Sequence, residues 1–527
     1  MRRLARREFL ELLGLGASTM AGLNGCGAAP SPSGGAPPSQ SHGNFVPDVE
    51  LQLSATETLA SVLPGELTQV WKYVGEVLKG DSTTLQTIPN SYLGPIIRAK
   101  RGQKIRIHLN NALREPTIIH WHGMRVPSAM DGHPRDAIGP GKSYVYDLEI
   151  RNRAGTYWFH PHPHQRTGFQ VYAGLAGLFL VSDDEEAAAN LPGGEFDVPL
   201  VIQDRAFNGA NQLVYVTNPM LQMSGVLGDR ILVNGRPDFA INVATRTYRF
   251  RVLNGSNSRV YKLAWEDATP LTVIATDGGL LEKPAQRDYV TLGPGERVEL
   301  WADFSSRRVG SQLTLKSLAF SGAESGMMGG MMRGMMGGMM GPGNAALPNG
   351  AEFTILRVTV NRAANDNTRL PERLSAIQRY RLNDAANREN PREFGIAMQG
   401  MMSWTINGRS FEMEGVAKNE IVKLNTLEAW DFVNQANSMS PMAHPMHIHG
   451  VQFQVIERQI VPQFEAVWET VRAGYLDEGW KDTVLLWPGE RVRLLMRFED
   501  SPGLFMYHCH NLEHEDLGLM RNYMIQA

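Results

Sequence analysis

His508-Cys509-His510-Asn511-Leu512-Glu513-His514 lies close to the C-terminal end of a 527-residue chain. The sequence has two cysteines, and the other, Cys26, belongs to the N-terminal leader. A thiol between two imidazoles, with a third imidazole five residues after it, suits a metal site better than a disulfide. In an extended strand, successive side chains take opposite faces. His508 and His510 therefore point one way and Cys509 the other, so three consecutive residues can serve two sites. Soft thiolate with imidazole favours copper. The competing reading is a buried free cysteine beside chance histidines, and it weakens as further clusters appear.

Three such clusters occur upstream: His120-Trp121-His122-Gly123, His160-Pro161-His162-Pro163-His164 and His444-Pro445-Met446-His447-Ile448-His449-Gly450. Each holds a His-x-His pair, which on a strand puts two imidazoles on one face about 7 Å apart. One pair is more often chance than ligand. Clusters near both ends of the chain imply a shared site where the first and last segments meet.

Length implies about three domains. Apolar content of 43% and charged content of 20% are ordinary for a globular protein. The formal charge of -3 includes a basic leader, and a mildly acidic body argues against non-specific nucleic-acid binding. Arg6-Arg7-Glu8-Phe9-Leu10 resembles a twin-arginine export signal. The moderately apolar Leu12–Leu23 reads as a signal core and not a membrane span. Leu23-Asn24-Gly25-Cys26 resembles a lipoprotein box with an atypical asparagine. Either Cys26 carries a lipid anchor, or cleavage nearby releases the protein. Residues 1–45 are thus read as signal and flexible linker, with the product in the periplasm or cell envelope.

Short apolar runs between Gly/Pro turns fill the remainder, among them Pro199–Ile202, Tyr248–Leu253 and Leu271–Ile274. Pro294-Gly-Glu-Arg-Val-Glu-Leu-Trp-Ala-Asp-Phe304 matches Pro488-Gly-Glu-Arg-Val-Arg-Leu-Leu-Met-Arg-Phe498, and Pro140–Tyr146 is a weaker copy. Ile231–Arg236 resembles Trp404–Arg409 in the same order. This repetition points to an all-β chain of three β-sandwich domains, 46–185, 186–365 and 366–527. The acidic stretch 183–194 is read as a linker, and the first thirty residues after 362 as a connection with little structure.

The four motifs, their order and their separations resemble the multicopper oxidase family, which includes laccases and bacterial cuprous oxidases. The resemblance implies three Greek-key cupredoxin domains and four copper ions. It assigns a type 1 copper to His444, Cys509 and His514, type 2 ligands to His120 and His447, and type 3 ligands to His122, His160, His162, His449, His508 and His510. The axial type 1 position falls on Leu519, which cannot coordinate, or on Met520 if the register shifts by one. Asp131 and Glu515 match positions that deliver protons during dioxygen reduction, although each could merely orient a histidine. Cys509, His508 and His510 form the electron path. His164, His133, His108 and His42 have no place in the pattern. A monomer acting on dioxygen is expected.

Met327, Met328, Met331, Met332, Met335, Met336, Met339 and Met340 form pairs in a Gly-rich run within 326–341. Thioethers select Cu(I), and the resemblance extends to copper-resistance oxidases with such insertions. Met442 falls where those enzymes use a methionine for substrate copper, but their neighbouring Asp is replaced by Ser440. Met398, Met401, Met402 and Met439 are alternative candidate donors, against a default of core packing for scattered methionines. The expected reductants are Cu(I) and phenols; the alternatives are a general laccase with an incidental loop, or a non-catalytic copper-binding protein.

Overall fold

In strand Lys104–Asn111 every second residue is buried, and the neighbouring strand Val49–Ala60 begins with the same alternation. Each strand therefore covers a core with one face. A computed structural model describes residues 44–216, 222–323, 347–400, 403–438 and 441–527. The leader with Cys26, His42, the methionine pairs of 326–341, and Met401, Met402, Met439 and Ser440 lie outside the described residues.

The described strands form six sheets. They are arranged as three face-to-face pairs, each around its own buried cluster. The same grammar recurs in all three. Val49–Ala60 runs parallel to Lys104–Asn111, Asp197–Arg205 to Thr247–Asn254, and Arg392–Gln399 to Thr426–Asn434. The second strand of each couple then pairs antiparallel with Ser143–Glu149, Arg297–Asp303 or Glu490–Phe498. Those last three strands carry the Pro-Gly repeat seen in the sequence. A parallel neighbour cannot be reached by a hairpin, so each pair must cross over between sheets, which is the Greek-key path. The stretch 183–194 begins with a short helix, Asp184–Ala188, capped by Asp183. Residues 363–391 hold only one short helical turn, Leu382–Asp384.

Strands nearest the candidate site are buried on both faces. Gly155–Pro161, Ile119–His122 and His444–Ile448 have no exposed residue. In the first pair, Trp121 meets Tyr146, Phe159 and Phe179 at ring distances of 5.1–5.9 Å. Aromatic packing of that kind fixes the strand that carries His120 and His122.

One arginine joins all three pairs. Arg297 of the middle pair donates from Nε to the Thr156 carbonyl of the first (2.9 Å) and bidentately to Asp482 of the third (2.7 and 2.6 Å). Both side chains are fully buried. Arg297→Met leaves the Asp482 carboxylate buried without its partner, at a cost of about 3–5 kcal/mol. Urea denaturation of the metal-free protein should show a clearly lowered midpoint; an unchanged midpoint contradicts this role.

Candidate metal centre

The strand Gly503–Cys509 runs antiparallel to His444–Ile448, with Met446 opposite Cys509 and His447 opposite His508. Opposite residues share a face, so Cys509 and His508 look into different spaces. On the cysteine face, Cys509 Sγ lies 3.4 Å from His444 Nδ1 and 3.6 Å from His514 Nδ1. His514 reaches this position because Asn511 caps the short helix Leu512–Asp516, accepting a hydrogen bond from the His514 amide. The Asn511 amide also points at the sulfur, 3.4 Å away. His514 Nε2 donates to the Met223 carbonyl (3.0 Å), which leaves Nδ1 as its free donor atom.

On the other face, histidines from the first and third pairs converge. His120 pairs with His160 across the sheet, as His447 does with His508. His120 Nε2 and His447 Nε2 are 3.3 Å apart. His508 Nε2 lies 3.0 Å from His449 Nε2 and 3.4 Å from His162 Nε2. Candidate ligand atoms fall into the sets His120, His122 and His447; His122, His160 and His510; His162, His449 and His508; and His444, Cys509 and His514. Within each set the atoms lie within 4.8 Å of one another, and every member is buried.

Two observations test whether metal ions fit these sets. The ring nitrogens His120 Nδ1, His160 Nδ1, His447 Nδ1 and His508 Nδ1 face the carbonyls of Asp131, Pro161, Asp482 and Cys509 at 2.8–3.1 Å. A donor N–H on that side fixes the tautomer and turns the Nε2 lone pair inward. His122 instead approaches Asp482 with Nε2 (3.0 Å) and leaves its buried Nδ1 without a hydrogen-bond partner. His160 Nε2 and both nitrogens of His510 are likewise buried without partners. Orphaned buried nitrogens are costly, and a bound cation satisfies them. The donor sets fit copper, three with imidazole alone and one with thiolate.

Electrostatics agree. Burial drives the conjugate acids of His122, His160, His162, His444, His447, His449 and His510 well below the usual imidazole range, and that of His514 down to about 3. Burial pushes the Cys509 thiol far up, so a cation must stabilise its thiolate. The rings are nonetheless packed together: His120 stacks on His449 at 3.6 Å and His122 on His447 at 3.7 Å.

The carboxyls expected here are present. Asp131 Oδ2 accepts from His449 Nδ1 at 2.8 Å, and Oδ1 lies 3.5 Å from His120 Nδ1. It is placed by Gly132 (φ +81°), where a Cβ would lie 2.0 Å from the Ile119 carbonyl oxygen. Glu515 lies between His162 Nε2 (3.4 Å) and His508 Nδ1 (3.2 Å). Leu519 shares the buried cluster that contains Cys509. Met520 pairs with His508 and so lies on the opposite face. Met442 and Met398 join Met223 and Met446 in the apolar cluster around Cys509.

The remaining described histidines are structural in their contacts. His164 packs against Phe411, His133 meets Asn522 at 3.0 Å, and His108 meets Glu50 at 2.6 Å. Sequence reading missed Asp482, Thr483, Met223, Trp404 and Glu513. Asp482 and Thr483 both contact His122, and Trp404 lies 4.8 Å from the His444 ring. Asp482, Thr483 and Met223 carry no motif; Trp404 opens one of the repeats and Glu513 stands beside His514, and neither position by itself marks a contact with the site.

Residues 71–186 and 385–527 each match a family profile described as multicopper oxidase. The chain is 30% identical to multicopper oxidase mco of Staphylococcus aureus, over 84% of this chain and 85% of that one. The McoA multicopper oxidase of the hyperthermophile Aquifex aeolicus superimposes with a TM-score of 0.75 at 33% identity, covering 92% of this chain and 97% of that one. A Campylobacter jejuni multicopper oxidase described as a metallo-oxidase gives 0.70 at 27% identity, covering 91% of both chains. The chain belongs to the multicopper oxidase family, with the all-β cupredoxin fold and the copper- and dioxygen-dependent oxidoreductase activity of that family.

The buried neutral imidazoles also set a pH dependence. Their folded pKa values lie below the unfolded value of about 6.5, so the unfolded chain binds more protons once pH falls through that value. Their contribution is fully present above it and is lost progressively below. The melting temperature of the metal-free protein should fall between pH 7.5 and 5.5. A flat profile contradicts neutral burial.

Proposed function

We propose that this chain oxidises Cu(I) and small phenols at His444, Cys509 and His514, and reduces dioxygen at the cluster of the other eight ligand histidines. The observation that carries this reading is the strand Gly503–Cys509, whose alternation puts Cys509 in one donor set and His508 in another. Four coppers held by these residues would supply one-electron chemistry, by which four electrons taken singly from the reductant, with four protons, convert dioxygen to two waters.

The residues supply the rest. Cys509, with His508 and His510 on either side, is a bridge of a few covalent bonds between the two sites. Asp482 and the backbone carbonyls hold the imidazoles so that no ring must turn as charge changes. Asp131 and Glu515 touch histidines of the inner cluster and stand where they would pass protons to it. The apolar wall of Leu519 lies on the thiolate side and offers no donor, so His444, Cys509 and His514 alone would hold a copper there. The methionine pairs from Met327 to Met340, with Met442, gather Cu(I). Thioether softness and the metallo-oxidase from Campylobacter jejuni support that part. The twin arginines would export the protein to the periplasm or cell envelope, where it encounters copper.

Oxygen uptake by the copper-loaded protein tests the function. Deleting 326–341 should abolish uptake driven by Cu(I) and spare uptake driven by a phenol; no uptake with either reductant refutes the reading. Asp131→Asn and Glu515→Gln should slow reoxidation by dioxygen roughly 10²-fold, while reduction of the thiolate-bound copper keeps its rate. Equal slowing of both steps contradicts the proton role. Leu519→Met should lower the reduction potential of the thiolate site, and an unchanged potential contradicts three-coordination.

A further inference from the structure

The imidazoles of the thiolate site are closed to large reductants. His444 is 1% and His514 0% exposed, and the outer nitrogen of His514 is covered by the Met223 carbonyl. Neither imidazole presents an open face to a phenol ring in this structure, so an electron from a phenol would arrive through intervening residues. A different cavity, of about 420 Å³, opens between the first sheet pair and residues 212–215. Its walls include Trp71, Phe169, Tyr172 and Tyr215. Trp71 meets Phe169 edge-on at 5.2 Å, Phe169 meets Tyr215 at 5.6 Å, and Tyr172 meets Tyr215 at 5.1 Å.

The inner end of that aromatic wall touches the site. Tyr215 donates from its hydroxyl to Glu513 Oε1 at 3.0 Å. Glu513 is bonded through the backbone to His514. The same carboxylate accepts from Asn257 Nδ2 (2.7 Å), Ser258 Oγ (2.5 Å) and the Val226 amide (3.0 Å), so it is fully tied down. Tyr215 comes this close because residue 168 is glycine: a Cβ there would lie 2.6 Å from the Tyr215 hydroxyl.

We propose that this cavity is a binding site for small neutral phenols, and that Tyr215 relays their electrons to the thiolate site through its hydrogen bond to Glu513. The proposal rests on the oxidase reading above. The lining selects the ligand class. Its arginines are already paired, Arg166 with Glu115 (2.6 and 3.0 Å) and Arg114 with Glu57, which leaves no free charge for an anion. Among the described residues no thioether, thiol or imidazole lines it, which disfavours Cu(I). Aromatic walls with Gln69 and Gln212 at the rim suit a ring bearing a hydroxyl. The chemistry balances as one electron per phenol. The O–H bond breaks, its proton passes to water at the cavity mouth, a phenoxyl radical leaves, and the electron reduces Cu(II) to Cu(I) at His444, Cys509 and His514.

Calorimetric titration of the copper-free full chain with 4-methylphenol tests binding. Saturable binding is expected, weakened at least tenfold by Gln69→Trp, which fills the cavity from an exposed position. Absence of binding, or binding indifferent to Gln69→Trp, overturns the proposal. Stopped-flow bleaching of the visible thiolate–copper band by the same phenol tests the relay. Tyr215→Phe keeps the ring and should keep the affinity of the copper-free chain, while slowing bleaching at least fivefold; undiminished bleaching overturns the relay. If the loaded enzyme consumes no dioxygen with any reductant, the function proposed above fails, and the copper-free titration still decides the cavity.

Discussion

Adjacent side chains on a β-strand cannot share a face. That constraint turns His508-Cys509-His510 into a junction, and the rest of the molecule keeps both sides of the junction buried and filled with donors. On one side the sulfur lies within 3.6 Å of two imidazole nitrogens; on the other His508 lies within 3.4 Å of two more. Neither arrangement is stable as packing alone. Closely stacked imidazoles with orphaned nitrogens, and a thiol whose ionisation burial opposes, gain from a cation what they lack from solvent.

Three sheet pairs meet the architectural demand differently. The first supplies His120, His122, His160 and His162, and the third supplies the other histidine ligands with Cys509. Among the described residues the middle pair gives no ligand to these four sets. Its contribution is mechanical: Arg297 spans to Thr156 and Asp482, and Asn257 and Ser258 hold Glu513 beside His514. A seam between two sandwiches, fastened by a third, lets ligands more than 300 residues apart converge without a loop to carry them.

Much of this was legible in the chain. Period-two spacing showed which imidazoles share a face, and the Pro-Gly repeat fell on equivalent strands of the middle and third pairs, with the weaker Pro140 copy leading into its counterpart in the first. Asp131 and Glu515 came from the family resemblance, and in the fold both lie against ligand histidines. Asp482, Met223, Trp404 and Arg297 were not found. They reach the site through contacts across the fold; Arg297 and Trp404 lie inside the two repeats, which mark strands and not contacts, and a single Asp or Met in a strand-rich sequence carries no spacing signal. The choice between Leu519 and Met520 was open because one residue of register reverses the face. The pairing of Met520 with His508 puts Leu519 on the side of the sulfur. The Tyr215 cavity was invisible for the same reason as Asp482, since its walls come from four separated stretches.

The junction itself is tested most directly by Cys509→Ser. Metal analysis of the copper-loaded variant should find one copper fewer per chain than in the wild type, with the intense visible band lost and the histidine cluster still occupied. A variant that retains the full copper complement and the visible band would show that Cys509 holds no metal, and would contradict the account.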